Sequence, residues 1–178
     1  MGAKLFKKKN FKILFVGVPN SGILSIIKQL RINNEKNLFN GIIIQTIKYK
    51  ECNIAIWTYK NHSRLKPAMK NIYSNVDGII YAVDSSDRDR IEDAAEDLKK
   101  FLALDEFKNC VILVMANKQD LNGALTPVEV TEKMGMGQLK GRTWLVQGTS
   151  CIIGKGIKEG LEWIISEILK KNKLDISK

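Results

Sequence analysis

The sequence predicts an α/β domain, a mostly parallel sheet of six strands with helices on both faces. Three observations predict it. Short apolar runs alternate along the chain with segments whose apolar residues fall at helical spacing, the pattern that lays parallel strands side by side. A glycine-containing loop, Gly17-Val18-Pro19-Asn20-Ser21-Gly22, stands between the first apolar run and the first helical segment. A polar quartet, Asn117-Lys118-Gln119-Asp120, closes a later apolar run, at the edge where such sheets place their ligands.

Taken in order, Phe11 to Val16 reads as the first strand, and Ile23, Ile26, Ile27 and Leu30 mark one face of the first helix. An asparagine-rich stretch, Asn33 to Asn40, reads as a loop. The runs Ile42 to Tyr49 and Asn53 to Trp57 are β-like, and the short join between them predicts a hairpin. A short helical segment follows around Pro67 to Ile72. The run Gly78 to Val83 reads as a buried strand leading into Asp84-Ser85-Ser86. Ser86 and Asp89 have the spacing of a capping box, and Ile91, Ala94, Ala95, Leu98 and Phe101 then line a helix face. Val111 to Met115 is the next strand. Thr126-Pro127-Val128-Glu129 is a helix start with a cap, a proline at the first position and a glutamate at the third. Trp144 to Val146 is the last strand, and Ile157, Leu161, Ile164, Ile165, Ile168 and Leu169 share one face of a closing helix. The loops after Val16, Trp57, Ala116 and Gln147 therefore gather at the carboxyl edge of the sheet.

The chain's 178 residues fit one such domain over residues 11–172, between a basic segment 1–10 and a basic tail 173–178. No apolar run is long enough to span a bilayer and no secretory core follows Met1, so the expected location is cytoplasmic, with at most peripheral contact to an intracellular membrane. Cys52, Cys110 and Cys151 are odd in number and embedded in apolar segments, which suits reduced, packed thiols and argues against a disulfide framework or a zinc site. The formal charge of +10 invites an anionic partner. No nucleic-acid motif accompanies it, and the aromatic residues are scattered, so most lysines are read as solvated surface and no nucleic acid is expected. Gly2 is an acylation candidate, although Phe6 stands where the simple rule wants Ser or Thr. Lys7, Lys8 and Lys9 would then supply the second signal at an anionic membrane surface; the alternative is a frayed basic tail.

Gly17 and Gly22 have the separation found in a phosphate-binding loop, whose backbone N–H groups turn onto phosphate oxygens. The next two positions should be a lysine for the outer phosphates and a hydroxyl for magnesium, and here they are Ile23 and Leu24. Neither can do that chemistry. Asn20, Ser21 and the loop backbone remain, and Ser25 keeps a hydroxyl able to touch an inner phosphate. An ordinary tight turn between strand and helix is the other reading of this stretch. In Asn117-Lys118-Gln119-Asp120 the carboxylate of Asp120 can accept from the N1–H and 2-amino groups of guanine, which adenine cannot supply, while the Lys118 stem lies along the base.

With these motifs in place the sequence resembles the ADP-ribosylation factor and ADP-ribosylation-factor-like family of small GTPases, from about Phe11 to the last helix. The carriers, besides the quartet, are Tyr81-Ala82-Val83-Asp84-Ser85-Ser86-Asp87-Arg88, Val114-Met115-Ala116-Asn117, Gln147-Gly148-Thr149-Ser150-Cys151 and Gly160-Leu161-Glu162-Trp163. The resemblance implies a P-loop NTPase fold and a guanine-nucleotide switch that binds membranes through an acylated N-terminus and recruits trafficking proteins. It also implies that Ser150 and Cys151 contact the base, mainly through the backbone. The family's threonine that senses the γ-phosphate and magnesium corresponds to Phe39. Its Trp-Asp-x-Gly-Gly-Gln motif reads Trp57-Thr58-Tyr59-Lys60-Asn61-His62, which puts Thr58 in place of a magnesium-shell carboxylate and His62 in place of the water-orienting glutamine.

Every side chain that holds magnesium, grips the outer phosphates or positions water in this class is thus replaced. Loss of the lysine alone corresponds to roughly tenfold to hundredfold weaker binding, at about 1.5–3 kcal/mol per hydrogen bond to a charged group. The expectation is a monomeric pseudo-GTPase: guanine nucleotide bound weakly or not at all, magnesium doubtful, no catalytic residue, His62 included, and function through protein partners. Its partner surface would include the hairpin positions where the family uses aromatic residues, here Ile42, Trp57 and Ile72. The competing readings are a working GTP switch, with Lys60 replacing the missing ammonium, and a basic nucleic-acid binder whose affinity falls with salt.

Overall fold

Strands alternating with helices produce the expected layered sheet in the computed structural model, which describes residues 9–30, 37–39, 42–49, 52–59 and 73–174. The strands are β1 (Lys9–Gly17), β2 (Asn37–Phe39), β3 (Ile42–Tyr49), β4 (Cys52–Tyr59), β5 (Gly78–Asp84), β6 (Val111–Asn117) and β7 (Trp144–Gly148). The helices are α1 (Ile23–Gln29), α2 (Ile91–Leu102), α3 (Pro127–Lys133) and α4 (Ile157–Leu174). The sheet order is β2-β3-β4-β1-β5-β6-β7. The count is seven because the stretch read as a loop at Asn33 to Asn40 contributes a three-residue edge strand against β3. The segment is too short to show alternation, and its strand state comes from a neighbour's hydrogen bonds. The expected helix at Pro67 to Ile72, Gly2 with the rest of residues 1–8, and residues 175–178 lie outside the described residues.

β3 and β4 pair antiparallel with Tyr49 opposite Cys52, as the short join predicts. β4, β1, β5, β6 and β7 run parallel to one another. Every residue of β5 and β6 is buried, which is why these strands are continuous apolar runs without alternation. Along β1 the pleat alternates between two cores. Leu14 and Val16 join Ile79, Tyr81 and the α2 residues Ile91, Ala94 and Leu98, whereas Ile13 and Phe15 join Ile26 of α1 and Leu161, Ile164 and Ile168 of α4. Helices therefore cover both faces. No described helix is long and apolar enough to cross a membrane. Cys52, Cys110 and Cys151 are all free thiols.

The cap of α3 forms as read: Glu129 N–H donates to Thr126 Oγ1 (3.2 Å) and Thr126 N–H to Glu129 Oε2 (2.8 Å). The proposed box at Ser86 and Asp89 does not form. Ser86 donates its N–H (3.0 Å) and hydroxyl (2.6 Å) to Asp84 Oδ1, a local bond that turns the chain before any helix begins. The helix starts later, at Ile91, and Asp87 Oδ1 accepts the Arg90 N–H at 3.2 Å.

Gly17 closes β1 against β5, where a Cβ would lie 2.3 Å from the Ala82 carbonyl oxygen and 2.9 Å from its nitrogen. Both are backbone atoms of a fully buried strand and cannot step aside. Gly17→Ala is expected to destabilise the domain by about 3 kcal/mol, the upper range for overpacking, measured by urea unfolding.

Candidate functional site

Five parallel strand ends deliver the site, since β1, β4, β5, β6 and β7 finish at Gly17, Tyr59, Asp84, Asn117 and Gly148 on one edge of the sheet. The loop from Val18 to Ser25 encloses a hollow of about 400 Å³. It turns through left-handed residues at Asn20 (φ 66°) and Gly22 (φ 87°). Only glycine fits at the second, because a Cβ there would come within 2.5 Å of the Asn117 side-chain nitrogen. The first backbone bond of α1 runs from the Ile26 N–H to the Gly22 carbonyl, so the N–H groups of Ile23, Leu24 and Ser25 precede the helix's own ladder. The Ser21 hydroxyl is buried and has no hydrogen-bond partner among the described residues. The loop backbone could therefore supply the N–H half of a phosphate cradle.

The loop's side chains are not those of such a cradle. Ile23 is only 8% exposed and packs with Ile26 and Ile27 in the core beneath the loop, while Leu24 presents hydrocarbon at 48% exposure. Thr58, next to last in its strand, is 1% exposed, and its hydroxyl has no partner among the described residues. Phe39 lies in β2, opposite Ile42. Lys60 and His62 lie outside the described residues.

Joined to the glycine loop through Asn117, the polar quartet is held from several directions. Asn117 donates Nδ2–H to the Ser21 carbonyl at 2.8 Å, and its Oδ1 accepts from the Thr149 hydroxyl at 3.2 Å and the Cys151 thiol at 3.4 Å. This ties the glycine loop, β6 and the segment after β7 into one unit. Gln119 braces the turn by donating to the Leu125 carbonyl at 2.8 Å. Ser150 donates its hydroxyl to Asp120 Oδ1 at 2.5 Å, aligning a carboxylate that is otherwise exposed. Lys118 adopts a left-handed backbone (φ 67°) and sends Nζ to Asp84 Oδ2 at 2.5 Å.

A profile of the ADP-ribosylation factor family matches residues 1–168. The chain belongs to the ADP-ribosylation factor family. Members of this family of small GTPases bind guanine nucleotides, and the base side of this member fits one, with Asn117, Lys118, Asp120, Ser150 and Cys151 brought together. The magnesium side does not fit: Leu24 is a hydrocarbon, Thr58 is neutral and buried, and neither can balance a divalent charge.

Asp84 is the site residue whose role sequence reasoning missed, although it ends a strand on the same edge as Lys118 and stood within a quoted family motif. Burial by itself would raise its carboxyl, but the hydrogen bonds from Lys118 and Ser86 outweigh that and hold it below the usual carboxylate range. A depressed folded-state value stabilises the fold above about pH 4, and that contribution is lost as the pH falls through the folded value. Asp84→Asn is accordingly expected to be less stable than wild type in urea at pH 7, with the difference narrowing as both are titrated below about pH 4.

Among the hairpin residues, Trp57 is half-buried against the α2-side core, with Lys12 Nζ 4.1 Å above its ring. Ile72 lies outside the described residues. Cys151 is half-buried beside Asn117, and burial raises its thiol above the ordinary range despite that hydrogen bond.

Proposed function

We propose that this family member is a pseudo-GTPase, which holds guanine nucleotide weakly through its base, gains nothing from magnesium, hydrolyses no GTP and acts by presenting a surface to trafficking or regulatory proteins. The observation that carries the reading is the split character of the site. Base-side groups are aligned by hydrogen bonds from three segments, whereas the positions for the phosphate lysine and the metal ligands hold Ile23 in the core, an exposed Leu24 and a buried Thr58. Asp120 accepts from the guanine edge, Asn117 fixes the glycine loop against the pocket, and no described side chain grips the outer phosphates. GDP and GTP should then bind alike, because the phosphate that distinguishes them meets no charged partner among the described residues.

A protein that does not sense this phosphate works as a fixed platform. The β3–β4 hairpin with Trp57 is its proposed partner surface, and Gly2 with Lys7 to Lys9 its proposed contact to an anionic membrane, the protein being monomeric, cytoplasmic and peripheral.

The test is calorimetric titration with GDP and a non-hydrolysable GTP analogue, with and without magnesium. Weak, equal, metal-independent binding is the expected result. Tight magnesium-dependent GTP binding would overturn the reading in favour of a working switch, for which the retained backbone cradle and the partnerless Ser21 hydroxyl are the favourable observations. Loss of that binding in Lys60→Ala would then locate the replacement cation.

A further inference from the structure

The turn after β7 is held in an unusual way. Its tip, Ile152 and Ile153, is 79% and 65% exposed, so beyond Ser150 the turn's packing against the core comes from the half-buried Cys151. Polar tethers hold it. Ser150 N–H donates to the Lys155 carbonyl at 3.0 Å, the Ser150 hydroxyl donates to Asp120, and the Gln29 side-chain amide donates to the Cys151 carbonyl at 2.6 Å. Gln29 is the last residue of α1 and lies 122 positions from its acceptor. Cys151 in turn places its thiol 3.4 Å from Asn117 Oδ1 and 4.0 Å from the Gly22 carbonyl.

We infer that Gln29 is a positioning residue for the guanine pocket: by holding the Cys151 carbonyl it fixes the turn that carries Ser150 and thereby aims Asp120 at the base. The assignment rests on the guanine-binding reading above. The physical argument is one of rank. A hydrogen bond in a well-packed region is one restraint among many, but here it is one of a few restraints on a segment whose tip faces solvent and whose contact with the core is Cys151. In this chain it also has no substitute on the same helix. With Ile23 in the core and Leu24 a hydrocarbon, no charged side chain from the start of α1 is available to couple the helix to a ligand, and Gln29 joins it to the base-recognition loop. Its side chain is itself exposed, so the tether can be removed without opening the core.

Gln29→Glu tests this at constant volume, since a carboxylate cannot donate to a carbonyl and repels it; Gln29→Ala is the second variant. Both are made in a Cys52→Ser background, which leaves the half-buried Cys151 as the reporter thiol beside the buried Cys110. The rate of Cys151 labelling by a maleimide is expected to rise about three- to tenfold, the range spanned by one neutral hydrogen bond. GDP affinity and the preference for GDP over ADP should fall by the same factor, with the thermal midpoint unchanged. Unaltered labelling and affinity in both variants would overturn the inference, as would losses that merely track a lowered midpoint. If the unsubstituted protein binds no guanine nucleotide, the functional reading fails while the labelling rates still decide whether Gln29 holds the turn.

Discussion

Replacing Asp120 by alanine is expected to lower GDP affinity by about a hundredfold or more and to abolish the preference for guanine over adenine nucleotides. The carboxylate is the one described acceptor suited to both the N1–H and the 2-amino group of guanine, and two charge-assisted hydrogen bonds at about 1.5–3 kcal/mol each account for a factor of that size. On the proposed reading the base carries most of the affinity, since no lysine stands at Ile23, so the effect of losing its acceptor should be large. Stability should change little, since Asp120 is exposed and its described partner is the Ser150 hydroxyl. Competition titrations with GDP and ADP, alongside thermal unfolding, separate the two effects. A variant that retains guanine preference would mean that the quartet is only a polar turn.

The second large effect is a gain. Ile23→Lys, Leu24→Thr and Thr58→Asp together are expected to raise GTP affinity by at least about a hundredfold and to make it depend on magnesium, because they restore the ammonium and the metal-shell donors around a backbone cradle that is already folded. Each substitution has a cost in the absence of ligand. Ile23 leaves the core beneath the loop, and an aspartate at Thr58 buries a carboxylate where even the native hydroxyl has no partner. The variant should therefore unfold at a lower temperature than wild type without ligand and be restabilised by magnesium with GTP, whereas wild type is expected to show no magnesium-dependent shift. Failure of the variant to gain magnesium-dependent affinity would mean that the hollow itself no longer suits phosphates.

Much of the site was legible because small spacings carry it. Asn117 to Asp120 are consecutive, Gly17 and Gly22 frame one turn, and the replacements at Ile23 and Leu24 are visible wherever the loop is recognised. What was not legible depends on partners far apart in sequence. Ser86 looked like a helix cap because its spacing to Asp89 is right, yet the nearer Asp84 carboxylate takes both of its donors. β2 was missed because three residues cannot show a period, and a strand that short exists only through its neighbour. Gln29 gave no signal, being one glutamine on a solvent-facing part of a helix.

The sequence by itself determined the fold class, the family and the chemical inventory of the site, because alternating apolar periods specify the layers and short motifs specify which groups arrive at the strand ends. Only the tertiary structure decided how that inventory is used. It put Ile23 in the core, left Leu24 in solvent, left the hydroxyls of Ser21 and Thr58 without partners among the described residues, drew Lys118 to Asp84 and tied Gln29 to Cys151. The reason is that a side chain's partner is set by distance and burial after the sheet has formed, and residues 122 positions apart become neighbours only then.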